Sequence, residues 1–109
     1  MKRGRHKKVR FVQRMPKVVQ FSPRGKPGRP DEVLLTIDEF EAIRLADLEE
    51  LTHAQAAKLM RVSRPTFTRI LALAHLKVAD GLVNIKTIKI EGGCCKFKQR
   101  ERKNDQRTR

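Results

Sequence analysis

The chain shows helical spacing of apolar residues through its middle and short alternating stretches on either side. Ile37, Phe40, Ile43, Leu48 and Leu51 fall roughly on one side of a helix opened by Thr36. Glu39, three residues after Thr36, completes a Thr-x-x-Glu capping box. Thr52 with Gln55 repeats the device ahead of a short second helix, His53 to Met60, rich in alanine. Small side chains such as Ala56 and Ala57 let another helix approach closely. Arg61-Val62 makes a turn, and Ser63 caps a third helix expected to run to about Asp80. Pro65 sits in its first turn, where a missing N–H costs nothing, and Gly81 marks the expected end. At 100° per residue, Phe67, Ile70, Leu71, Ala74, Val78 and Leu82 form its core stripe. Pro65, Thr68, Arg69, Ala72 and Leu76 lie opposite, flanked by Thr66 and Leu73.

The flanks are less regular. Val9 to Val12 and Lys17 to Phe21 are β-prone, and Pro16 between them argues against a central strand. Ser22 to Pro30 is a Pro/Gly-rich loop that only loosely resembles a minor-groove Gly-Arg-Pro hook. Val83 to Ile90 reads as a short strand or extended tail, ended by Glu91-Gly92-Gly93. The expected fold is therefore mainly α: a three-helix domain with a helix-turn-helix, short extended segments and basic flexible termini. Residues 1–30 form a basic arm and loop, 31–93 the domain, and 94–109 a basic tail.

Charge sharpens this picture. The 109 residues carry a formal net charge of +14, distributed as +11 over 1–30, −2 over 31–95 and +5 over 96–109. Two basic arms around a near-neutral centre repel each other, and a polyanion would neutralise them with release of counterions. Nucleic acid is the first candidate partner and an anionic membrane surface the second. Neither arm has an apolar stripe to bury in a membrane, and no apolar run approaches the length of a span. The acids of the first helix, Glu41, Asp47, Glu49 and Glu50, are expected on an outer face turned away from a polyanion or towards a basic partner or arm.

Two capped helices joined by a tight turn over Thr52 to Ala72 have the spacing of a helix-turn-helix. The first helix braces the second, Ala57 keeps the crossing close, and Val62 plugs the turn. The exposed face of the third helix is then free to enter a major groove, whose base edges carry a distinct donor and acceptor pattern. Arg69 is its long donor, with Arg64, Thr66 and Thr68 beside it, and the N–H groups near Ser63 suit a phosphate. Arg3, Arg5, Lys7 and Lys8 of the arm are expected on the DNA backbone or adjacent minor groove. Leu73 and Leu76 continue the exposed side and mark a contact, either with residues 9–35 or with a second subunit of a homodimer.

Several of these pieces carry a resemblance. Arg44-Leu45-Ala46-Asp47, Ala56-Ala57, Val62-Ser63-Arg64-Pro65-Thr66-Phe67 and Ile90-Glu91-Gly92-Gly93, within Val33 to Gly93, resemble a small prokaryotic "predicted DNA-binding protein" family of unknown physiological role. Its helix-turn-helix is similar to region four of sigma factors. The resemblance implies a DNA-binding regulator without catalysis, and makes Ser63, Arg64, Pro65, Thr66, Thr68 and Arg69 the recognition segment. Members often have glycine before the Val-Ser, where the turn favours positive φ. Arg61 stands there in this chain, at a cost of roughly 1–2 kcal/mol. Cysteines seen near the start of many members are absent here.

Other chemistry is poorly supplied. Cys94 and Cys95 are adjacent rather than spaced as metal ligands, and His6, His53 and His75 are scattered. No phosphate-binding glycine loop or catalytic triad is present, so neither enzyme activity nor a metal or other cofactor is expected. Two unspaced thiols and no secretory signal point to the cytoplasm. The alternatives are a protein-interaction module engaging the transcription machinery, RNA polymerase included, through the acidic first helix, and an RNA-binding protein driven by its arms.

Overall fold

A computed structural model describes residues 9–25 and 28–93, and the backbone of 95–97. In chain order these form β1 (Arg10–Val12), β2 (Gln20–Phe21), β3 (Glu32–Leu35), α1 (Ile37–Ile43) and a π-helical turn (Arg44–Leu48). There follow α2 (His53–Met60), α3 (Arg64–Val83), β4 (Thr87–Ile90) and β5 (Cys95–Phe97). The expected three helices form the body of the domain. None of the described helices is long and apolar enough to cross a membrane.

All three helix starts follow from their caps. Thr36 and Thr52 accept the N–H of Glu39 and Gln55, whose side chains reach back to the N–H of Thr36 and Thr52. Ser63 accepts the N–H of Thr66. The helices meet in a core of Ala42, Leu45, Ala56, Ala57, Met60, Phe67, Ile70 and Leu71. A second cluster, Leu35, Ala74 and Ile90, joins α3 to the sheet.

That sheet has the order β2-β4-β3, with β4 antiparallel to β2 and parallel to β3. β3 was not evident in the sequence: four residues between a loop and a cap give too short an alternation to recognise. The Glu91-Gly92-Gly93 segment returns to the start of α1, where Ile37 N–H donates to the Gly92 carbonyl. Gly93 has φ +102°, and a Cβ there would strike Asp38. Residues 95–97, placed in the tail by the sequence, pair in parallel with β1.

Four expectations fail for identifiable reasons. Gly81 does not end α3, which continues to Val83; it is buried where β4 crosses the helix. A Cβ on Gly81 would lie 2.6 Å from Ile88 Cγ1, so glycine is there for close approach. The sheet presses on Gly81 rather than on Leu82, which is 70% exposed and outside the core. Leu48 is also outside the core, at 74% exposed. The π-helical turn explains it: Glu49 N–H bonds the Arg44 carbonyl five residues back, which shifts the phase of the helix by one residue.

Glu41 is the fourth correction. It is fully buried, not on an outer face. Arg44 Nε and Nη2 donate to its two oxygens at 2.8 and 2.9 Å, and the N–H of Gln13 donates to Oε2 at 2.9 Å. Gln13 Oε1 accepts from Arg44 Nη2 in turn. The hydrogen bonds to Glu41 push the Arg44 guanidinium above its ordinary pKa, against the opposing effect of burial.

Candidate functional site

The turn between α2 and α3 is set by Arg61 in the left-handed region, with φ 59° and ψ 43°. The strain has a counterweight, because the Arg61 guanidinium carbon lies 3.7 Å from the centroid of the Phe11 ring. Ala57 is buried at the helix crossing, and its carbonyl accepts the N–H of Val62, which packs half-buried against the core. These contacts fix the direction in which α3 leaves the turn.

Phe67, Ile70 and Leu71 anchor α3 inward, while Pro65, Thr68, Arg69 and Ala72 are exposed along the opposite side and Arg64 is exposed at the first residue of the helix. Ser63 Oγ also bonds Thr66 Oγ1 at 2.9 Å, and Arg69 Nη2 donates to that hydroxyl at 3.3 Å. Arg64 and Arg69 thus offer guanidinium donors on an open surface, with the hydroxyls of Ser63, Thr66 and Thr68 between them. The anion-binding capacity of the helix start is smaller than expected. Pro65 has no N–H, and the N–H of Thr66 is taken by the Ser63 cap.

Thr68 is held as well as displayed. His53 Nδ1 lies 2.9 Å from Thr68 Oγ1, and the His53 ring meets Phe67 edge-on at 5.4 Å. His53 therefore positions the exposed face, a role that spacing alone does not reveal, since it and Thr68 are 15 residues apart.

A groove of about 450 Å³ runs beside this face, lined by Arg10, Asp38, Thr66, Arg69, Leu73 and Lys77 among others. Its acids are already engaged. Lys77 Nζ donates to both oxygens of Glu39, at 2.7 and 2.9 Å. Asp38 accepts from Thr36 Oγ1 and lies 3.8 Å from Arg10 Nε. Arg10, counted from the sequence among the free cations of the arm, is thus buried against α1. Leu73 and Leu76 are 50% and 66% exposed, so residues 9–35 do not cover them. Arg3, Arg5, Lys7, Lys8 and Cys94 lie outside the described residues. Cys95 is described only as backbone in β5.

The profile of a family described as "Protein of unknown function DUF134" matches residues 1–98 of the chain. The chain belongs to this family. Its relatives carry the name UPF0251 protein. One from Prosthecochloris aestuarii is 53% identical over 91 residues, which is 83% of this chain and 59% of the relative. One from Thermoanaerobacter pseudethanolicus is 54% identical over 87 residues, 79% of this chain and 74% of the relative. A third, from Halothermothrix orenii, is 48% identical over 91 residues, 83% of this chain and 67% of the relative. The chain thus spans between about half and three quarters of the length of such relatives. No solved structure matches it significantly.

Proposed function

We propose that this DUF134 member is a sequence-specific double-stranded DNA-binding protein, acting as a transcriptional regulator. In this reading α2, the Arg61–Ser63 turn and α3 are a helix-turn-helix, and the first turns of α3 enter the major groove. Arg69 is the principal base reader, suited to the paired acceptors of guanine. Arg64, Thr66 and Thr68 contact neighbouring bases or phosphates, and Ser63 and Pro65 shape the helix start. Residues 1–8, with Arg3, Arg5, Lys7 and Lys8, add sequence-independent attraction to the backbone.

One observation carries the reading. The side of α3 that carries Thr68 and Arg69 is left open to solvent in a chain of net charge +14. The rival surface, an acidic first helix offered to a protein partner, loses Glu41 to the core but keeps Asp47, Glu49 and Glu50 exposed, with Asp47 and Glu49 already paired to His75 and Arg44.

The test is site selection from random duplex DNA with the full chain and with Arg69→Ala. The full chain is expected to enrich a defined site. Arg69→Ala should lose about 1–3 kcal/mol of discrimination at one base while keeping its non-specific affinity. Equal, unselective binding by both proteins would overturn the proposal. Removing residues 1–8, which leaves Arg10 in β1, should flatten the salt dependence of binding.

A further inference from the structure

The π-helical turn delivers Leu48 to the surface, where it borders a groove of about 470 Å³. Met15, Val18 and Phe21 line this groove from the chain between β1 and β2, and Phe40 and Ile43 line it from α1. Leu48, Met15, Val18 and Phe21 are each more than half exposed. Single apolar residues on a surface are ordinary, but four gathered around one groove mark a contact.

The groove is held in shape by the fold itself. Phe40 and Ile43 are half-buried and pack on the cluster that joins α3 to the sheet. The segment from Arg14 to Val19 is tied at both ends, by the Gln13 N–H on Glu41 and by the pairing of Gln20 and Phe21 with β4. Within it Pro16 is buried, and its ring fixes φ. A cleft of this size with mostly apolar walls and a few polar groups is the usual form of a small-molecule site.

Its charges have one sign. Arg14, Lys17 and Arg44 line the groove, and no carboxylate is among its lining residues. Arg44 is committed to Glu41 and Glu49. Arg14 and Lys17 are exposed and form no ion pair among the described residues. The chain's own ends do not match this surface. Residues 98–109 have no apolar side chain and carry six Lys and Arg against two acids. Residues 1–8 offer Met1 alone, among five Lys and Arg. A second copy brings another +14. Nucleic acid has the charge without an aliphatic body, and a neutral apolar molecule leaves both cations unanswered.

We propose that this groove binds a small amphipathic organic anion, a carboxylate on an apolar body. The body lies against Met15, Val18, Phe21 and Leu48, above Phe40 and Ile43, and the carboxylate faces Arg14 and Lys17. No residue of α3 lines the groove, so the site stands independently of DNA reading.

Equilibrium dialysis of radiolabelled decanoate against the full chain, below the micelle concentration, tests it. One saturable site per chain is expected. Unlabelled decanoate should displace the label. Decanol lacks the charge, decyltrimethylammonium reverses it and acetate lacks the body, so none of the three should compete. Leu48→Glu should weaken binding about tenfold or more, and the double variant Arg14→Ser with Lys17→Ser about fivefold. Leu76→Glu, at a comparably exposed leucine outside the groove, should leave binding unchanged. Melting by circular dichroism checks that the variants fold. Absent or unsaturable uptake would overturn the site, as would competition by decanol or decyltrimethylammonium equal to that by decanoate. Undiminished binding by folded Leu48→Glu or by the double variant, or an equal loss from Leu76→Glu, would do the same. Site selection on duplex DNA keeps the two proposals apart. A chain that takes up decanoate and ignores DNA sequence sinks only the reader, and one that selects a DNA site and takes up no decanoate sinks only the groove.

Discussion

The charged side chains of α1 and those at the start of α3 meet opposite fates in this fold. Of the six acids between Asp38 and Glu50, three are buried, and each has a basic partner or donor drawn from elsewhere in the chain. Glu41 is closed in by Arg44 and the backbone of Gln13, Glu39 by Lys77, and Asp38 by Thr36 and Arg10. Arg64 and Arg69, by contrast, have no acid against them among the described residues. The fold buries three acids together with two arginines, Arg10 and Arg44, so the acids inside are matched largely by bases inside. The two regions should also respond differently to mutation, one through stability and the other through binding.

Glu41→Ala is the strongest way to break that contrast. It leaves Arg44 buried with the more exposed Glu49 as its one acidic partner beside Gln13 Oε1, and should cost about 3–5 kcal/mol, read from the midpoint of urea unfolding. A loss no larger than that of a surface mutation would mean the network is not structural. Gly81→Val probes the other end of α3. The new side chain must displace Ile88, and a loss of about 1–3 kcal/mol is expected from thermal unfolding. Ser63→Ala removes the cap that both starts α3 and orients Thr66, at a cost of about 1 kcal/mol in the same measurement. Arg69→Ala should be the mildest for folding, within about 0.5 kcal/mol of wild type. A clear drop in stability would show that Arg69 is tied into the fold rather than left open.

Much of the helical body could be read in advance because its signals are local. Three caps, a proline in a first turn and a small residue at the crossing each act within four residues, and each stands where the sequence puts it. The sheet depended on partners far apart in the chain. β3 pairs with β4 across all three helices, and no four-residue window announces that. Leu48 and Leu82 escape the sequence pattern for different reasons. The π-helical turn breaks the constant phase that would put Leu48 inside, whereas α3 keeps its phase and Leu82 stays outside because the sheet covers Gly81 instead. At the candidate site, the open face of α3 follows from periodicity once Phe67 is taken as core. The contact between His53 and Thr68 does not, because it links two helices. Nor does the burial of Glu41, since a carboxylate enters a core only with its partners, and Gln13 is 28 residues away.

Arg61 has one more consequence. Its guanidinium, pressed on the Phe11 ring, clasps β1 to the very bend from which α3 departs. The strand and the bend are thereby tied through a single ring contact, so that replacing Phe11 would loosen both together.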